Sequence, residues 1–388
     1  MSSQPSHIAV VGAGAFGGWT ALALLARGAR VTLLDAWGPG NARASSGGES
    51  RVIRGMYGAD RVYTEWVARS LAIWEERGAR WGERLYHPTG ALWMFAGDDG
   101  YARASLPLLE EVGLPAAEIS VAEARRRFPQ VRFDGVATVF VEERAGYLTA
   151  RCACRAVARA VAAAGGEVRQ MSARPGPISV GTMSALALAD GTRLAADAYV
   201  FACGPWLGEL FPEVVGARVR PTRQEVFFFG PPAADARFDE ASCPVWVDFG
   251  ERIFYGIPGN EHRGFKVADD TRGEGFDPTS GERAVTAGRL AEARELLARR
   301  FPALAGAPLV DSRVCQYENT SDGHLLLDRH PEAENVWLAG GGSGHGFKLA
   351  PAVGEHVAKL VRGEARPYPQ FRLDRSLSGA ARTQFESR

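Results

Sequence analysis

Lysine is nearly absent from this sequence: of 45 basic residues only Lys266, Lys348 and Lys359 are lysine, and the rest are arginine. Net charge is absent too, since 45 acidic residues balance the basic ones. That removes the electrostatic case for a nucleic acid or an anionic membrane as partner. Cysteine is scarce and odd in number, five in 388 residues, so a reducing, cytoplasmic compartment is expected rather than a disulfide framework. Cys152 and Cys154 lie two apart on a predicted helix from Tyr147 to Ala164 and fall on different faces, so they cannot grip one metal. No metal site is expected. There is no internal repeat or low-complexity linker, and the residues after Asp374 read as a frayed polar end. The uncharged run from Ile8 to Ala26 approaches the length of a membrane span. Gly12, Gly14, Gly17, Gly18 and Thr20 interrupt it, and Met1 to His7 holds no Lys or Arg to begin a secretory signal. The final Glu386-Ser387-Arg388 is not a peroxisomal tripeptide. Small molecules are the expected partners.

What the sequence does hold is concentrated first between His7 and Asp35. The apolar Ile8-Ala9-Val10-Val11 meets Gly12-Ala13-Gly14-Ala15-Phe16-Gly17, which reads as strand, turn and helix. Gly12 serves the tight turn, Gly14 lets backbone approach a pyrophosphate, and Gly17 lets the helix pack close to the strand. The helix to about Arg27 aims its N-terminal N–H groups at the phosphates. A second strand, Arg30 to Leu34, ends on Asp35, which lies 18 residues after Gly17. A carboxylate there accepts hydrogen bonds from an adenosine ribose and repels a 2′-phosphate. A dinucleotide is the expected cofactor.

At 41.7 kDa the chain suits two domains. From Gly38 to Tyr57 runs a loop rich in Gly, Ser and Asn, in which Arg51 and Arg54 would share one face if it were a helical turn. Ala59 to Gly78 carries Val62, Trp66, Val67, Leu71 and Trp74 at helical spacing. Leu85 to Phe95 and Val136 to Val141 read as strands, with helices over 101–112 and 121–128 between them. Ala198 to Ala202 is a buried strand running into Cys203-Gly204, a second backbone approach to a cofactor. Short strands follow over 218–230, 245–249, 252–257 and 264–268, then a helix over 284–301. Asn335 to Ala339, the loop Gly340 to Gly346 and a helix to Leu360 repeat the strand, glycine loop and helix order at the far end. The cofactor domain is therefore predicted to be discontinuous: residues 1–84, 145–216 and 315–388, with a sheet-forming substrate domain of residues 85–144 and 217–314 inserted. In a chain that writes arginine almost everywhere, retained lysines are site candidates, because a buried ammonium shifts its pKa readily. Lys359, on the helix over 353–361, is an ordinary surface lysine.

Three further stretches carry chemistry: Phe254-Tyr255-Gly256 with Lys266, Cys315-Gln316-Tyr317, and Ser343-Gly344-His345-Gly346-Phe347-Lys348. Together with the glycine motif and the Ser-rich loop they resemble the monomeric sarcosine oxidase and N-methyltryptophan oxidase branch of the D-amino acid oxidase-like flavoproteins. The resemblance implies a mixed α/β fold, a Rossmann-like FAD-binding domain with an inserted antiparallel-sheet domain. It implies FAD joined through sulfur to Cys315, with Arg51 beside the flavin ring, and Gly47 stands where the family has a histidine. Cofactor contacts are implied for Gly12, Gly14, Ala15, Phe16, Gly17 and Asp35, and for Ser46, Gly47, Ser50 and Val168. Further contacts fall to Cys203, Gly204, Gly342, Gly344, His345, Gly346, Phe347 and Lys348.

The implied reaction is oxidation of an amino acid's C–N bond, with O₂ as acceptor and H₂O₂ as product, by a cytoplasmic monomer. Arg54 and Lys348 match the cations that hold the substrate carboxylate, Lys266 the lysine that assists oxygen through a water, and Tyr255 and Tyr317 cavity aromatics. Tyr57 and Trp246 are implied as substrate contacts, Trp246 from a strand that faces the cavity. Asp270 departs from the sarcosine oxidases, which carry a histidine there. An acid stands there in the related fructosyl amino acid oxidases, so a larger N-modified amino acid is a competing substrate. A cyclic or primary amine as substrate, a dehydrogenase that passes electrons to a partner, and a non-catalytic flavoprotein subunit also compete with this reading.

Overall fold

In the computed structural model, which describes residues 6–376, the first apolar run is the buried strand His7–Val11 inside a six-stranded sheet. Across the sheet the strands are Leu326–Arg329, Val336–Gly340, Ala198–Phe201, His7–Val11, Arg30–Asp35 and Glu167–Gln170. Every neighbouring pair is parallel except the first. Parallel strands covered on both faces need continuous apolar sequence, which is why these runs do not alternate. The two ends of the chain thus meet side by side, and both glycine loops open from the same edge of one sheet.

Helix Ala15–Leu25 packs between Ala150–Ala163 and Ala350–Val361. The approach is backbone to backbone. Gly12 has φ +104, and a Cβ on it would stand 2.3 Å from the Ala202 carbonyl oxygen; one on Gly17 would stand 1.8 Å from the Gly12 oxygen. Gly354 does the same where the helices cross, since its Cβ would lie 2.5 Å from the Trp19 carbonyl carbon.

An eight-stranded sheet runs in the order Leu309–Thr320, Val219–Phe229, Phe265–Asp269, Ile253–Ile257, Val245–Phe249, Ala91–Phe95, Thr138–Glu142 and Ala116–Ile119. Helix Ala287–Arg300 and Phe301 close one face over Trp246, Phe265 and Phe229. A buried pair, Asp248 with Arg300 at 2.8 Å, ties that helix to the sheet. The expected limit at residue 315 falls inside the strand Leu309–Thr320.

Three local expectations change. The single strand expected over 85–95 is two, Tyr86–His87 and Ala91–Phe95, in different sheets, because Pro88 lacks a donor and Gly90 takes φ +73. The helix expected from Tyr147 begins only at Ala150, since Gly146–Thr149 pairs with Ser50–Ile53. That second strand also removes the helical turn expected for Arg51 and Arg54: Arg51 sits within the strand and Arg54 just beyond it. The frayed end expected after Asp374 lies, from residue 377 on, outside the described residues.

Gly354→Val should lower stability by about 1–3 kcal/mol, because the helix crossing has no room for a side chain. Thermal unfolding checks it; a Tm equal to that of the parent would contradict the close-approach account.

Candidate active site

A cavity of ≈ 470 Å³ lies over the edge where the glycine loops emerge. Gly12, Gly14, Ala15 and Phe16 line it on one side, Gly342, Gly344, Gly346 and Phe347 on another, with Ser46, Cys203 and Gly204 between. Asp35 closes one end: its carboxylate accepts from the N–H of Ala13 at 2.8 Å and of Trp37 at 2.9 Å. Burial raises the pKa of Asp35 against the pull of those donors. The first turn of helix Ala15–Leu25 holds no acidic side chain, and its positive end faces the cavity.

At the other end stand Arg51, Tyr317, Gly344 and Phe347, and these four also line a second, smaller cavity of ≈ 70 Å³. The two chambers therefore meet across them. The guanidinium of Arg51 donates to Ser45 O at 2.5 Å and reaches the sulfur of Cys315 at 3.2 Å. The smaller chamber is walled by Trp93, Val247, Phe249, Ile253 and Tyr255, and Arg54, Lys348 and Asp270 face into it.

Each of these charges is fixed by its neighbours. Arg54 lies 4.5 Å over the Tyr57 ring and 5.4 Å over that of Trp93, and it donates to the Met56 carbonyl. The ammonium of Lys348 donates to Tyr57 Oη at 3.2 Å and to His345 O at 3.1 Å. Asp270 accepts from Tyr317 Oη at 2.7 Å. Burial, opposed by the Tyr317 hydrogen bond and the charges of Arg54 and Lys348, pushes its pKa up to about 6. Burial also pushes the Tyr255 phenol up to about 12.

A family model described as FAD dependent oxidoreductase matches residues 7–360. The chain belongs to this family. Among curated proteins it is 28% identical over 362 residues to the peroxisomal sarcosine oxidase of Mus musculus, covering 90% of each chain. To the monomeric sarcosine oxidase of Bacillus sp. it is 28% identical over 365 residues, covering 91% of each. Among solved structures, L-proline dehydrogenase from P. horikoshii matches with a TM-score of 0.83 and 21% identity, over 95% of this chain and 97% of that one.

The residues present fit FAD. A glycine-rich wall in which Gly12, Gly344 and Gly346 leave no room for a Cβ, a helix N-terminus and the Asp35 carboxylate lie in one cavity, and that cavity meets a second at Arg51, Tyr317, Gly344 and Phe347. Of the expected substrate contacts, Arg54, Lys348, Asp270, Tyr255 and Tyr317 come together in the smaller chamber. Tyr57 stands behind the cations, joined at 3.2 Å to His345, which lines the smaller chamber and not the large cavity.

Trp246 does not face the chamber. Strand alternation points it into the core beside Phe265 and Phe301, and its neighbour Val247 faces the chamber instead. Val168 pairs with Leu33 and packs in the sheet, while Met171 to Arg174 line the large cavity. A side chain at Gly47 would put Cβ 1.9 Å from Asn41 O, so the loop's own backbone fills the place where the family carries a histidine. Ser50 contributes its carbonyl, which accepts from Arg51 and, at 3.0 Å, from Lys266. Lys266 lines neither chamber; its ammonium lies behind Arg51, 5.5 Å over the Tyr255 ring.

Three residues escaped the sequence reading. Trp93 walls the small chamber. Glu142 is buried and accepts from Gly55 N at 2.6 Å and Trp93 Nε1 at 2.8 Å, anchoring the bend that carries Arg54. Glu318 lines the large cavity. No local signal set Glu142 apart, since Glu143 and Arg144 follow it and the sequence reads as the charged end of a strand.

Asp270 is ionised above about pH 6 and neutral below it. If the carboxylate holds the reacting amine, kcat/KM should fall as pH drops through about 6, and Asp270→Asn should abolish that limb while the flavin spectrum stays unchanged. A pH profile that keeps the limb in the variant would contradict the assignment.

Proposed function

We propose that this protein is an FAD-dependent oxidase of the C–N bond of a small N-substituted, secondary-amine amino acid such as sarcosine or another N-methyl amino acid. The products are an amine, an aldehyde formed by hydrolysis of the imine, and H₂O₂. The observation that supports the reading is the junction of the two chambers: Arg54 and Lys348 line the smaller one, which shares Arg51, Tyr317, Gly344 and Phe347 with the larger. When bound, FAD supplies the two-electron acceptor and passes the electrons on to O₂.

The chain's own residues do the rest. Arg54 and Lys348 hold the substrate carboxylate, each charged hydrogen bond contributing roughly 1.5–3 kcal/mol. Asp270, oriented by Tyr317, faces the amine and accepts its proton. Trp93, Phe249 and Tyr255 exclude water. The chamber of ≈ 70 Å³ has room for about five waters, which favours a small substituent over a fructosyl group. Lys266 holds positive charge near the ring, where it stabilises developing superoxide through an intervening water. Burial, and next the charge of Arg51, lowers its pKa to about 7, so it is charged at lower pH and loses that charge as pH rises through neutrality.

Cys315 is proposed to carry the flavin covalently, because reactive thiols sit in partly exposed, electropositive surroundings and Arg51 provides one. A monomer in the cytoplasm, with domain limits near 84, 145 and 217 and the last moved to the end of the strand Leu309–Thr320, completes the reading. No helix among the described residues is long and apolar enough to cross a membrane.

Assay of H₂O₂ from sarcosine, other N-methyl amino acids, proline and fructosyl amino acids should give turnover with a small secondary amine. Lys266→Met should slow reoxidation by O₂ about 10²–10³-fold while anaerobic reduction by substrate keeps its rate. Reduction without peroxide would favour a dehydrogenase, and no turnover with any amine a non-catalytic subunit. Acid precipitation should leave the yellow colour in the parent's pellet and release it from Cys315→Ala; release from both would exclude covalent attachment.

A further inference from the structure

Glu318 follows Tyr317 on the strand Leu309–Thr320, is only 6% exposed, and lines the large cavity. Its oxygen Oε2 faces Gly204 and Gly342, and the N–H groups of Gly341 and Gly342 turn towards the carboxyl. Oε1 has no hydrogen-bond partner. It lies against Gly340, where a Cβ would stand 2.3 Å from it, so the glycine makes room for the acid. Among the described residues no cation forms an ion pair with it; the titratable group that faces it is the Cys203 thiol, at the end of the strand Ala198–Phe201.

A buried carboxyl with no cation beside it and one oxygen unpartnered is costly, and structures that keep one have a use for it. Its place in the cavity says which. With FAD bound as proposed, Asp35 would mark the adenosine end, Gly12 to Phe16 the pyrophosphate, and Arg51 and Tyr317 the flavin ring. Glu318 stands between the two glycine loops, where the ribityl chain joins the pyrophosphate. That stretch offers hydroxyl groups, which donate and accept, beside two negative charges. An ionised carboxyl would repel the phosphates, whereas a protonated one both donates and accepts.

We propose that Glu318 is a direct ligand of the ribityl–pyrophosphate stretch of FAD and binds it as a carboxylic acid, so that the cofactor is taken up together with a proton. Burial raises the pKa of the free carboxyl to about 7 against the pull of the two glycine N–H groups, so the proton is shed in the free protein just above neutrality. FAD affinity then falls as pH rises above that point, towards tenfold per pH unit for one linked proton. The inference rests on FAD as the cofactor, not on the substrate. Lys266 and Asp270 also titrate near neutrality but lie at the ring end, so comparing variants separates them from Glu318.

The test uses a Cys315→Ala background, in which flavin is held by equilibrium binding alone, with FAD dissociation constants measured by flavin fluorescence at about pH 6 and about pH 8. The background protein should weaken by roughly tenfold between them. Glu318→Gln, a neutral donor and acceptor, should bind equally at both and more tightly than the background at the higher pH. Glu318→Leu should bind FAD more weakly at both, yet bind ADP, which reaches only the Asp35 and Gly12 end, as the background does. A Gln variant with the same pH slope as the background, a Leu variant with undiminished FAD affinity, or one that loses ADP together with FAD would each overturn the proposal. Failure of the background itself to bind FAD would overturn the cofactor assignment as well, a result distinct from any change confined to Glu318.

Discussion

Positive charge gathered around one small chamber, with Lys266 and Lys348 buried and Arg51 and Arg54 half-buried, is the constraint on which the site depends. Arg51, Arg54, Lys266 and Lys348 converge there, and taking each from water is costly unless anions answer it. Few acids are at hand. Glu49 is already shared by Arg151, Arg263 and Arg313, which leaves Asp270 and Glu142. The protein holds the cations in place with aromatic faces and carbonyls, through Tyr57, Trp93, Tyr255, Met56 and Ser50. A ligand carboxylate would complement this arrangement, which is why the proposed substrate carries one.

The large cavity solves the opposite problem, how to receive an anionic cofactor, and beside the glycine loops it does so with backbone. Backbone N–H groups at a helix N-terminus do that work, provided backbone can come close. Gly12, Gly17 and Gly354 permit the approach by leaving out the atoms that would clash. The sheet then brings the second loop beside the first, so that one cavity ends where the other begins. Fold and chemistry meet at Arg51, Tyr317, Gly344 and Phe347, the residues common to both chambers.

How much of this was legible depended on whether the signal was local. The strand, glycine turn, helix and acid of residues 7–35 are set by contacts within that segment, and the sequence showed them. The return of the chain to the same sheet showed as well, because Ala198–Phe201 and Val336–Gly340 are uninterrupted apolar strands. Facing was harder. In Val245–Phe249 both neighbours of each residue are apolar or buried, so alternation alone could not say whether Trp246 or Val247 entered the chamber. Burial on the far side by Phe301 decides it, and that contact spans more than fifty residues. Ser50–Ile53 read as loop because its partner Gly146–Thr149 read as helix. Glu142 and Glu318 needed the tertiary structure, since a buried acid is identified by what surrounds it.

The most direct measurement is a titration of the FAD-loaded protein with an unreactive small carboxylate, such as acetate, followed in the visible flavin spectrum. If the clamp adjoins the ring as the junction of the chambers requires, the spectrum changes and saturates, and Arg54→Met weakens that binding about tenfold or more while its unliganded spectrum stays that of the parent. No spectral change, or an equal dissociation constant in the variant, would mean that Arg54 and Lys348 do not form a carboxylate site next to the flavin, and the account built on them would fail.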